Sequence, residues 1–163
     1  MAADNGVVSC LDAKTGKTQW IERVASTCSP SMLHAVGKIF LSDETGKTFF
    51  ANSLLKAKYF YEKSKLVTLS DDSGLEIECL NNKPGIYSAR LAKKKGSFLN
   101  AMNYILKKIK NKKNRSAVFV CSLSFKNKKK ITTVEGRLKG NISKKILGKN
   151  GFGYDPIFIP LNK

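Results

Sequence analysis

The hydrophobic period of the chain changes once, at "SDETGKTFF" (Ser42–Phe50), and that change limits what can fold on either side of it. Before it the pattern has period two. "GVVSCLDAKTGKTQWIERV" reads as a hairpin: Val7 to Leu11 is β-rich, Asp12 to Gly16 supplies turn chemistry, and Thr18 to Val24 resumes the alternation. A third strand is predicted at Gly37 to Leu41. After Gly46 the period becomes helical, and Thr48 is a suitable N-cap for a helix over 48–63 with an apolar stripe of Phe50, Leu54, Leu55 and Ala57 to Tyr59. On that helix Asn52 and Lys56 are four apart and share a face, while Glu44 lies just ahead of the first turn.

Charge changes at the same place. The formal net charge is +18, yet residues 1–49 hold five basic and five acidic side chains, and the 25 basic and seven acidic ones after Phe49 supply all of the excess. A shift this abrupt, with no Pro/Gly/Ser linker beside it, reads as a junction between two kinds of sequence. The four cysteines (Cys10, Cys28, Cys79, Cys121) show neither C-x-x-C spacing nor a dense pattern, so a zinc site and a disulfide framework are both unsupported and buried free thiols are expected. No apolar run approaches the ~20 residues that span a bilayer. The expectation is a soluble chain in a reducing compartment. "TGKT" occurs twice, but a phosphate loop needs Gly five positions before its second Gly, where Leu11 and Leu41 stand.

Further on, "LVTLS" (Leu66–Ser70) reads as a short buried strand that delivers Asp71, Asp72, Ser73 and Gly74 at its C-terminal end, where α/β folds collect chemistry. A loop with "NNKPG", a helix over 97–112, strands at 117–125 and 131–138, and "GFGYDPIFIP" complete the pattern. Adjacent carboxylates repel unless a cation joins them, and Mg²⁺ prefers carboxylate oxygens together with water and phosphate. Taken alone, "DDSG" serves equally well as an Asx turn.

The longer strings decide more. "ETGKTFFANSLLKAK", "SDDSGLEIECLNNKPGIYSAR" and "GFGYDPIFIP", in that order over 44–160, resemble the inosine triphosphate pyrophosphatase family. The resemblance implies an α/β fold, a mixed sheet with flanking helices. It implies Mg²⁺-dependent hydrolysis of ITP, dITP or XTP to the monophosphate and pyrophosphate, a cytoplasmic setting, and a homodimer. Carried over by position, it makes Asp72 catalytic and Glu44 and Asp72 metal-holding. Lys56 and Ser73 would meet the substrate, Phe152 would stack on the base, Gly153 would allow close approach, and Tyr154 and Asp155 would complete the pocket. Glu44, Asp72 and Asp155 are expected around one cleft. Residues 1–43 instead resemble a quinoprotein-type β-propeller repeat at "LDAKTGK" and Trp20, about one blade's worth and not an independent domain.

This sequence departs from the family pattern in two places. Residues 1–43 hold no Thr/Ser-x-Asn-x-x-Lys loop to cradle a triphosphate, and no Ser-His-Arg follows the "FGYD" motif. The pyrophosphatase-like part, 44–163, is therefore expected to be incomplete at both ends and impaired, with a gene fusion, an assembly artefact and a deliberate chimera all compatible with the junction. The alternatives are an inactive chimeric or truncated fragment, or a nucleic-acid-binding protein using "KKIKNKKNR" (Lys107–Arg115) and "KNKKK" (Lys126–Lys130). No motif sharpens that last reading. The lysine runs are expected to be a solvated face and a hairpin turn without specific nucleic-acid affinity.

Overall fold

A computed structural model describes residues 44–148 and 151–161 with their side chains, together with the backbone of five strands before them. The chain divides into two units, Met1–Glu44 and Thr45–Lys163. In the first, β1 (Ala2–Ala3) pairs with β2 (Val7–Leu11), and β2 runs antiparallel to β3 (Thr18–Arg23) with Cys10 opposite Trp20. This is the hairpin that the alternation predicts. β4 (Ser31–Ala35) and β5 (Lys38–Ser42) form a second hairpin, one residue beyond the strand expected at 37–41. The side chains of this unit, and with them the propeller-like reading of 1–43, lie outside the described residues.

The second unit is built on a five-stranded antiparallel sheet of β6 (Thr68–Ile77), β7 (Lys83–Pro84), β8 (Ser116–Lys126), β9 (Ile131–Ile142) and β10 (Phe158–Pro160), in the order β10-β9-β8-β6-β7. The predicted strands at 117–125 and 131–138 are present and longer. Between them "KNKKK" is the expected hairpin turn, closed by Asn127 Oδ1, which accepts the backbone N–H groups of Lys129 and Lys130 at 2.9 Å each. β6 departs from the prediction. It starts at Thr68 and runs through Asp71–Gly74 to Ile77, because all ten of its residues pair with β8, Asp72 standing opposite Ser122. The two aspartates therefore sit inside a strand and not at its end. On its other flank β6 pairs only with β7, at Glu76 and Ile77, so among the described residues 68–74 have no strand partner on that side.

Alternation along β6 separates two layers. Residues Ser70, Asp72 and Gly74 face α1 (Phe49–Ser64), whose start is fixed by Thr48 Oγ1 accepting the Ala51 N–H at 3.0 Å. The helix is the one predicted, but of the expected stripe Ala57 is buried while Phe50 and Leu55 are exposed, and the buried side turns Asn52, Ser53 and Lys56 inward together with Phe49 and Phe60. The reason is the polar surface beneath it. Ser53 Oγ bonds to Ser122 Oγ at 3.0 Å and Ser124 Oγ at 2.9 Å, and its carbonyl accepts from Ser70 Oγ at 2.7 Å.

The opposite face carries the apolar core. Leu75 and Ile77 of β6 and Ala117 of β8 pack with Ala92 of α2 (Ser88–Lys95) and with Ala101, Met102 and Ile105 of α3 (Phe98–Lys108). The sequence reading omits α2. It is short, buries only Ser88 and Ala92, and stops at Gly96, whose φ of 84° suits glycine. α3 begins as predicted, after an N-cap at Ser97, and ends four residues before 112. Arg115 explains the early stop: its guanidinium donates to Ile109 O at 3.0 Å, to Ile142 O at 2.7 Å, and to Ser143 O. The run 107–115 is thus not wholly a solvated face, since Ile109 is fully buried and Arg115 joins the end of α3 to the end of β9. Arg115→Lys, which keeps the charge but loses the fork of donors, is expected to cost about 1–3 kcal/mol in urea unfolding. Unchanged stability would mean that the fork is dispensable.

The free thiols also differ from expectation. Among the described residues Cys79 is half-buried and Cys121 is exposed. No helix among the described residues is long and apolar enough to cross a membrane.

Candidate active site

The centre of the α1-facing layer is an ion pair. Lys56 Nζ stands 3.3 Å from Asp72 Oδ1, with both side chains under 10% exposed. Asp72 Oδ2 accepts from Asn52 Nδ2 at 3.0 Å, and Asn52 Oδ1 accepts the Gly46 backbone N–H at 2.8 Å. The helix repeat makes this possible, because Asn52 and Lys56, one turn apart, reach the same carboxylate. A buried charge needs such partners. The structure thus pairs Lys56 with Asp72, a contact the sequence does not predict, and adds Asn52, which shares the helix face of Lys56 and has no task in the sequence reading.

The other nominated residues lie elsewhere. Ser73 follows Asp72 in the same strand, so it points to the reverse face, where it is exposed and stands opposite Cys121. The "GFGYD" turn belongs to that layer too. Tyr154 is part of the apolar core, its hydroxyl donating to Ser88 O at 2.9 Å and its ring meeting Phe98 edge-on at 5.3 Å. It is therefore a core aromatic and does not line an open pocket. Phe152 is 67% exposed, and its ring centre is 5.6 Å from that of Phe98, which leaves one face accessible for stacking. Gly153 adopts a φ of 61°, and Asp155 Oδ2 accepts the Phe152 N–H at 2.8 Å, so this carboxylate holds the turn. Asp72 and Ser73, adjacent in β6, thus face opposite sides of the sheet, and Asp155 serves the turn beside the apolar layer. Glu44 is half-buried and belongs to the first unit. A groove of about 500 Å³ beside the start of α1 is lined by Lys47, Phe50, Glu76, Lys83, Tyr87 and Arg137, among others, and by none of the nominated residues.

Burial pushes the Tyr154 hydroxyl up to about 12 from its ordinary value. A proton held more tightly in the folded state than in the unfolded one stabilises below the unfolded value and is lost through the folded one. Stability is therefore expected to hold up to about pH 10 and to fall by at most ~2–3 kcal/mol between about pH 10 and 12. Denaturation of the chain beside Tyr154→Phe isolates this contribution, and parallel pH profiles for the two would refute it.

The sequence profile described as the Ham1 family matches residues 14–163. The chain belongs to the Ham1 family. The match begins inside the stretch that resembles a propeller repeat. A relative named dITP/XTP pyrophosphatase from Flavobacterium johnsoniae is 45% identical over 121 residues, covering 73% of this chain and 62% of that protein. Another of the same name from Leptospira interrogans is 38% identical over 128 residues, covering 76% and 65%. The solved Staphylococcus aureus Ham1 protein is 40% identical with a TM-score of 0.67, over 71% of this chain and 61% of that one. The chain thus spans a little under two thirds of the Ham1 proteins that it matches. Its mixed α/β architecture, a five-stranded antiparallel sheet with flanking helices, is theirs.

Proposed function

We propose that this Ham1 chain carries the catalytic half-site of a nucleoside triphosphate pyrophosphatase acting on dITP, XTP or ITP, with release of pyrophosphate. The observation that carries the reading is the buried Lys56–Asp72 pair, held by Asn52 on the two motifs that resemble the family's. β6 supports it further. Asp72 and Ser73 project to opposite faces of a strand that, among the described residues, has no strand partner on one flank from 68 to 74, so a substrate lying along that flank would have one of them on each side. Phe152 offers a ring for the purine, and stacking by itself tolerates any base.

Mg²⁺ binds one or two carboxylates and completes its shell with water and phosphate oxygens, which makes Asp72 a compatible donor. Among the described residues no group of three acidic, histidine or cysteine side chains forms an all-protein cage. Asp72 would hold the ion, with Glu44 as the second ligand that the resemblance implies. Bound there, the ion would neutralise phosphate charge and position water. Lys56 supplies fixed positive charge beside the carboxylate, where developing phosphate charge is best met by prepositioned groups. Asp72, once its hold on Lys56 relaxes toward the incoming phosphate, can accept a proton from attacking water.

The same reading carries a homodimer, a cytoplasmic setting, and 1–43 as a propeller-repeat-like β segment without activity of its own. It also carries impairment: the 163 residues hold neither the Thr/Ser-x-Asn-x-x-Lys loop nor the Ser-His-Arg of the resemblance. The test is pyrophosphate release from dITP and XTP by the full chain with Mg²⁺. Slow, Mg²⁺-dependent release that requires Asp72 is expected, and release unaffected by loss of Asp72 would sink the reading.

A further inference from the structure

Asn52 is 1% exposed, and its amide uses both ends. Nδ2 donates to Asp72 Oδ2 at 3.0 Å, while Oδ1 accepts the Gly46 N–H at 2.8 Å. A carboxylate only accepts and a backbone N–H only donates, so the chemistry itself fixes which way the amide points. The turn before α1 is pressed against this group: a Cβ on Gly46 would lie 2.5 Å from Asn52 Oδ1 and 2.9 Å from the Asn52 nitrogen. The other oxygen of Asp72 belongs to Lys56 at 3.3 Å. Two side chains of one helix face therefore each hold one oxygen, and the carboxylate plane cannot rotate without breaking one of the two bonds.

We propose that Asn52 is a positioning residue, which ties the orientation of the Asp72 carboxylate to the turn at 45–48. The inference rests on the reading of Asp72 as the catalytic carboxylate, but the coupling itself is measurable without turnover. Only an amide at this length serves both partners. An aspartate would accept from Gly46 and repel Asp72, and an aliphatic side chain would leave a buried N–H and a carboxylate oxygen without this contact. A movement of the turn is thus passed to the carboxylate through a single rigid group, and a displaced carboxylate is passed back to the turn.

The experiment has two arms, both on the full chain. In the first, amide hydrogen exchange at Gly46 is followed by NMR in Asn52→Ala and in Asp72→Ala, with Asp72→Leu, similar in size but without an acceptor for Asn52, as a second variant in case the alanine form does not fold. Both alanine variants are expected to speed Gly46 exchange at least about tenfold while core amides such as that of Ile105 keep their protection. In this chain of bonds Asp72 reaches Gly46 through Asn52, so unchanged Gly46 exchange in the Asp72 variants overturns the coupling. In the second arm, Asn52→Ala and Gly46→Ala are each expected to lower dITP turnover about tenfold or more with KM held within about threefold, because neither residue is assigned to the substrate. Their combined loss should exceed the larger single loss by no more than about twofold. Losses that multiply, or a raised KM with intact turnover, overturn the proposal. Asp72-independent turnover would refute the functional reading instead, and the exchange result would stand apart from it.

Discussion

Asp72→Ala is expected to reduce pyrophosphate release from dITP and XTP by a factor of at least 10² to 10³, the scale associated with losing one prepositioned group at a reacting centre, about 2.7–4 kcal/mol. The same substitution should also weaken the fold. It strips the buried Lys56 ammonium of the carboxylate 3.3 Å away, and breaking a buried pair by removing one partner costs about 3–5 kcal/mol. The two losses can be separated. Asp72→Asn keeps the shape of the side chain, so it should retain more stability than the alanine form and yet remain as slow. Initial rates measured well below each variant's unfolding midpoint distinguish lost chemistry from lost folding. An asparagine form that turns over at the parent rate would show that the carboxylate is structural only.

The second large effect lies in the apolar layer. Ile77 is fully buried, stands opposite Ala117, and joins the cluster of Leu75, Met102 and Ile105. Ile77→Ala should cost about 2–5 kcal/mol, lost transfer energy together with the cavity left behind. Domain stabilities are of order 5–15 kcal/mol, so this is a large share. Phe50→Ala is the informative control. Phe50 is 46% exposed, and its removal should change stability by only about 0.5 kcal/mol. Urea denaturation of the two variants side by side decides whether α1 buries the polar face seen in the structure or the apolar stripe that its sequence advertises; comparable losses would favour the stripe.

That contrast shows where sequence reasoning stops. The start of α1 was legible to within one residue, because Thr48 is a cap and a cap is local. Its buried face was not, because hydrophobic periodicity counts apolar residues and this helix turns Asn52, Ser53 and Lys56 toward the serines of β6 and β8. Likewise the β8–β9 hairpin is announced by its turn, whereas β6 continues through "DDSG" only because β8, over 40 residues away, supplies a ladder partner at every step. Motifs resembling a known family singled out Lys56 and Asp72 one by one, but their pairing is set by the packing of α1 on β6 and was not legible. The separation of Ser73 and Tyr154 from that pair followed from strand parity and core packing, which no motif records.

The unpaired flank of β6 carries one more consequence. Over 68–74 every second residue turns its backbone N–H and C=O to a side where, among the described residues, no strand pairs with them, and such an edge is a template for pairing with another chain. Asp71 is exposed in the middle of that flank, and a second copy laid against it would bring like charges close together, at a cost that discourages the contact, whereas the charge of Asp72 is already met by Lys56. The strand that carries the buried Asp72 thus holds, one residue away, an exposed carboxylate that discourages aggregation, so the demands of burial and of solubility fall on neighbouring positions.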